Sequence, residues 1–70
     1  MNLGERMKEL RKERKLRQED IAVELDMALM TYYRYEQGKR EPNASVLCRM
    51  ADYYDVSVDY LLGRSDVRKI

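Results

Sequence analysis

Histidine is absent from this sequence, cysteine and proline occur once each, and glycine only three times. With no histidine and a single thiol there is no plausible metal-ligand cluster and no imidazole base. No glycine-rich phosphate loop is present either. Ser45, Ser57 and Ser65 have no base beside them in sequence, and a chain this short has little room for a concave site. An enzyme is therefore not expected, and neither a metal nor a cofactor. Cys48 cannot form an internal disulfide. It lies among apolar positions of a predicted helix, which suits a small buried hydrophobe. No apolar run approaches the roughly 18 residues of a membrane span. The N-terminus, charged from Glu5 onwards, has no signal-peptide pattern. A cytoplasmic protein with no membrane association is expected.

What the chain does have is charge. Fourteen basic and thirteen acidic residues leave a net +1, too little for a nucleic-acid binder that relies on bulk charge. The distribution is less even than the sum. Met1 to Arg17 and Met27 to Met50 are basic on balance, whereas Gln18 to Asp26 and Ala51 to Ile70 are acidic. One basic and one acidic side fit this pattern, and so do interspersed charges that only solvate helices.

The apolar spacing is helical throughout. Asn2 and Glu5 form a candidate capping box, and Leu3, Met7 and Leu10 carry a first helix from Leu3 to Arg14. Its remaining faces, with Arg6, Lys8, Glu9, Lys12 and Glu13, read mostly as solvated. A second helix begins near Gln18, with Glu19 and Asp20 against the positive end of its dipole and Ile21, Ala22 and Leu25 on one stripe. Arg17 offers no acceptor for its cap. Thr31 to Gln37 reads as a third helix, with Tyr32 and Tyr35 towards the core and Gly38 as its stop. Pro42 disfavours helix at Glu41. Asn43 caps a fourth helix through Tyr54, with a stripe of Ala44, Leu47, Cys48, Met50, Ala51 and Tyr54. Val56 to Gly63 is a short fifth helix, capped by Ser57, with Leu61 and Leu62 inwards. Arg64 to Ile70 is a polar tail without pattern. These elements make an all-α, compact five-helix domain over 1–63, followed by the tail 64–70.

The unit from Gln18 to Gly38, two helices about a tight corner, carries the candidate function. Arg34 and Gln37, followed by Lys39 and Arg40, present planar and charged donors suited to a groove and its phosphates. Arginine bonds both major-groove acceptors of guanine. From residue chemistry alone, a nucleic-acid-reading helix and an ordinary surface helix both remain open.

The ordered set Leu3, Arg6, Leu10, Arg11; Gln18, Ile21, Ala22, Leu25; Thr31, Arg34 to Glu36, Gly38 to Pro42; and Leu47, Ala51, Val56 to Asp59, Leu61 to Gly63 resembles the Xre/Cro-type helix-turn-helix family. That family includes the DNA-binding domains of lambdoid phage repressors. The resemblance implies a lambda repressor-like fold and a sequence-specific transcription regulator, a repressor, acting as a homodimer on a palindromic double-stranded operator. The third helix would enter the major groove. Leu29, Met30, Tyr33 and Arg34 would reach bases. Gln18, Gln37, Lys39, Arg40 and Asn43 would contact phosphates, and Arg11 and Glu36 would form a structural ion pair.

Departures from the family pattern are informative. Lys15, Asp26 and Asp55 stand where glycine is usual, so positive φ is expected there. Arg17 and Ala28 replace hydroxyl caps. Leu29 and Met30 replace polar base readers. They fit contact with thymine methyls, and equally a protein-interaction module in which Leu29, Met30 and Tyr33 bind a protein partner. Helix 5 and the tail, through Tyr60, Val67 and Ile70, are the expected dimer surface.

Overall fold

In the computed structural model, which describes residues 1–69, the first helix starts where the capping box predicts. Asn2 Oδ1 accepts from the Glu5 amide at 2.9 Å, and the Asn2 amide donates to Glu5 Oε1 at 3.0 Å. The chain forms α1 (Leu3–Glu13), α2 (Gln18–Glu24), α3 (Leu29–Glu36), α4 (Ala44–Tyr54) and α5 (Val58–Leu61), with no strand among the described residues. Asn43 caps α4 by accepting from the Val46 amide, and Ser57 caps α5 by accepting from the Tyr60 amide. Arg17 gives no side-chain cap to α2. Instead Asp20 reaches back and accepts from the Arg17 amide at 2.8 Å.

The third helix begins at Leu29, earlier than the expected Thr31. Ala28, in extended conformation, precedes it without any capping side chain, so no residue signals the start. The corner is only four residues long, and a left-handed Asp26 turns the chain quickly enough for helix to resume at Leu29.

All five helices end in one way. The residue after the last turn takes positive φ: Lys15 (57°), Asp26 (54°), Gly38 (73°), Asp55 (56°) and Gly63 (77°). The following amide then bonds back five residues, as in Leu16 to Arg11, Met27 to Ala22, Lys39 to Arg34, Val56 to Ala51 and Arg64 to Asp59. This is the Schellman arrangement, which satisfies carbonyls the helix leaves open. Leu16, Met27 and Val56 then pack on the core just beyond their corners. Lysine is the worst of these residues for a left-handed conformation: its Cβ crowds the next carbonyl and, unlike aspartate, it has no short polar side chain to hydrogen-bond locally in compensation. Lys15→Gly is therefore expected to stabilise the fold. Relief of about 1–2 kcal/mol of strain exceeds the roughly 0.5–1 kcal/mol of extra chain entropy glycine brings. A thermal melt should show a higher Tm, and an unchanged or lower Tm would mean that Lys15 is unstrained.

Helices α1 and α2 pack on α3, while α4 packs on α5 and α5 on α1. The core is filled by Met7, Leu10, Ile21, Ala22, Leu25, Tyr32, Tyr35, Val46, Met50, Ala51, Tyr54, Val56, Tyr60 and Leu61. Three expectations are corrected here. Cys48 is exposed, because the buried stripe of α4 runs through Val46, Met50 and Tyr54 and turns Cys48 and Ala44 outwards. Arg6 is buried rather than solvated, with its guanidinium carbon 3.7 Å from the Tyr60 ring centroid and Nη1 3.4 Å from Glu9. Tyr60 is correspondingly a core residue and not part of an exposed dimer face, since Arg6 covers its ring. Of the other residues expected there, Val67 is exposed and Ile70 lies outside the described residues.

The tail has more order than its sequence suggests. Arg68 pairs with Glu13 at the end of α1, its carbonyl accepts from the Ser57 amide, and Lys69 pairs with Asp55.

Candidate nucleic-acid interface

The outer face of α3 follows from helical geometry. At 100° per residue, Leu29, Met30, Tyr33, Arg34 and Gln37 fall within an arc of about 140°. Tyr32 and Tyr35 lie on the far side and are buried. All five residues of the arc are exposed. Leu29, Met30 and Tyr33 keep 47, 56 and 40% of their surface in contact with solvent, so the exposed arc is apolar at its start. Arg34 and Gln37 make it polar towards its end. Lys39, Arg40 and Asn43, in the loop leading to α4, are exposed as well. Arg40 leans over the Tyr35 ring at 6.0 Å. The oxygen of Asn43 is used as the α4 cap, which leaves its amide nitrogen to donate.

Behind this face, α3 is anchored by one carboxylate. Glu36, at the last turn of α3, accepts from Arg11 Nε at 2.7 Å and from Arg11 Nη2 at 3.3 Å. It also accepts from the Tyr32 hydroxyl and from Gln18 Nε2 at 3.2 Å. Arg11 further donates to the Leu16 carbonyl at 2.9 Å. Four hydrogen bonds fill the acceptor capacity of a carboxylate, and together with the bond from Arg11 to Leu16 they join α1, the first corner, the start of α2 and the end of α3. The side chains of Glu36 and Arg11 are only 1% and 11% exposed. Burial acts to raise the Glu36 carboxyl, but the bonds from Arg11, Tyr32 and Gln18 outweigh it and hold the group below its ordinary value. The bond to Glu36 likewise raises the Arg11 guanidinium, and burial first, then the bond to Glu36, raises the Tyr32 hydroxyl.

Two members of this cluster were not legible as such. Tyr32 is expected only as a core ring, yet its hydroxyl lies one turn before Glu36 on the same helix; the i to i+4 spacing was the available signal. Gln18 is expected at a phosphate and is half-buried here, with one amide hydrogen directed to Glu36. Its second amide hydrogen is still available at the α2 N-terminus.

A second close approach seats the same end of α3, against the start of α1. Gly4 in α1 is buried, and a Cβ placed there would lie 2.4 Å from the Glu36 carbonyl oxygen and 3.1 Å from that of Tyr35. Nothing in the spacing of α1 marks this contact.

Two short helices about a left-handed corner, with the second exposed along one face and braced from behind, define a helix-turn-helix protein. The sequence matches the helix-turn-helix family over residues 7–61, and the chain belongs to that family. Over 69 residues it is 36% identical to the HTH-type transcriptional regulator ImmR of Bacillus subtilis, covering 99% of this chain and 54% of that protein. It is 34% identical over 64 residues to the cryptic phage CTXphi transcriptional repressor RstR of Vibrio cholerae, covering 91% of this chain and 55% of that one. The P22 c2 repressor, solved in complex with a synthetic operator, has the same fold, with a TM-score of 0.85 at 28% identity over 93% of this chain and 98% of that one. The chain spans about half the length of the curated relatives it matches.

Proposed function

We propose that this chain is a sequence-specific, double-stranded DNA-binding transcription regulator that acts as a repressor from the cytoplasm. The observation that carries this reading is the exposed arc of α3, polar at its end and continued by Lys39 and Arg40, on a helix whose other side is fixed by Glu36. The relatives named as regulators and repressors, and the P22 c2 repressor on its operator, support it. In this reading α3 enters the major groove and presents Leu29, Met30, Tyr33 and Arg34 to base edges. Gln18, Gln37, Lys39, Arg40 and Asn43 meet phosphates on either side. Arg11 and Glu36 stay behind the face as its brace. The chain acts as a homodimer on a palindromic operator, with half-sites about 34 Å apart.

Selection from a pool of random duplexes tests this directly. One sequence class should be enriched, and its affinity should fall with salt at a slope near −0.9 per phosphate neutralised. Recovery of no sequence class at low salt would sink the proposal. Arg34→Ala should lose about 1–3 kcal/mol on the selected site and relax preference at one base pair, measured by titration on matched and mutated duplexes. An equal loss on random DNA would make Arg34 a phosphate contact instead.

A further inference from the structure

We infer that the operator half-site carries successive thymines opposite the first turn of α3 and that their 5-methyl groups are what this turn reads. The inference rests on the DNA-binding reading above. Its basis is the chemistry of the side chains that reach furthest. Leu29, Met30 and, one turn later, Tyr33 are each 40% or more exposed and lie contiguously on the outer arc. Ala28, which precedes them, makes no side-chain hydrogen bond, and Thr31 is half-buried outside that arc. Thus no exposed side chain of the first turn offers an N–H donor or a carbonyl acceptor.

In the major groove most base edges present hydrogen-bonding groups, and apolar side chains pressed against them would leave those groups unpaired. The thymine methyl is the one hydrocarbon group that protrudes from a base edge there, so it is the match for Leu29 and Met30. Methionine, unbranched and polarisable, fills an irregular surface of this kind. The surroundings favour a groove over an apolar protein surface. Arg34 and Gln37 continue the same arc with hydrogen-bond donors, and exposed Lys39 and Arg40 follow in the loop after α3; these groups suit flanking phosphates.

The test replaces thymines of the selected operator one at a time by deoxyuridine, which removes the methyl and keeps every hydrogen-bonding group. Binding should weaken about fourfold for each methyl in contact, from roughly 0.8 kcal/mol per buried carbon. The loss should be confined to two or three neighbouring positions in each half-site. Leu29→Ala and Met30→Ala should each weaken binding to the thymine operator and abolish the deoxyuridine penalty at one position, with an unchanged salt slope. Where a contacted thymine is exchanged for cytosine, 5-methylcytosine should recover part of the loss. An enriched operator without thymines at those positions, or deoxyuridine duplexes bound as tightly as the original, would overturn the inference and leave the DNA-binding reading standing. Enrichment of no duplex at all would overturn both.

Discussion

Replacing Glu36 by alanine is expected to cost about 3–5 kcal/mol, because it leaves Arg11 as an unpaired charge in the interior. The same change strips the acceptor from the Tyr32 hydroxyl and from the Gln18 amide. A domain of this size has a total stability of only about 4–10 kcal/mol, so the change removes roughly half of it. Urea titration followed by circular dichroism would measure the loss. Removing both charges, with Arg11→Met and Glu36→Met together, should cost clearly less than the two single changes added. A loss of under about 1 kcal/mol for Glu36→Ala would show that the cluster is already solvated.

The same carboxylate gives the fold an acid-sensitive component. Its folded value lies below the ordinary 4.5, so the unfolded chain takes up the proton first. The stabilisation is complete above about pH 4.5 and is lost as pH falls through the lower folded value. Glu36→Gln should remove this part of the pH dependence and leave a shallower acid transition.

The second large effect is expected at Gly4. Alanine is ordinarily the better helix residue, by about 0.5–1 kcal/mol over glycine. Here its methyl would meet backbone carbonyls of Glu36 and Tyr35, which belong to the packed end of α3 and have no rotamer to change. Gly4→Ala should therefore destabilise by about 1–3 kcal/mol, the usual cost of forcing atoms into a filled space. The sign decides the matter, since stabilisation would mean that α1 and α3 separate freely. Gly38→Ala is a useful control: no atom lies within 4 Å of its added methyl, and only the left-handed backbone penalty applies.

What was legible in the sequence follows from where the information is local. The caps at Asn2, Asn43 and Ser57, and the core stripes of Met7 and Leu10 and of Ile21, Ala22 and Leu25, are local patterns read by spacing. Positive φ at Lys15, Asp26 and Asp55 came from comparison with the family pattern, and the backbone adopts it at all three. Harder to see were features set by packing between distant segments. The start of α3 has no capping side chain to mark it. Burial of Arg6 depends on the Tyr60 ring, 54 positions later in the chain. Cys48 reads as buried in the sequence because α4 has more apolar positions than its buried face can hold. The convergence of Arg11, Gln18 and Tyr32 on Glu36 likewise becomes visible only when three helices are in place.

That convergence has a consequence for how a duplex would be measured. Gln18, at the entrance of α2, and Glu36, at the exit of α3, are joined through one hydrogen bond, so these two ends cannot drift apart independently. If Gln18 holds a phosphate while α3 lies among the bases, the span from backbone to groove floor is fixed by the protein, like the jaws of a calliper. Duplexes whose backbone naturally sits at that span would bind with little distortion, and others would have to bend or narrow to fit. Base pairs that no side chain touches would then contribute to preference through their stiffness.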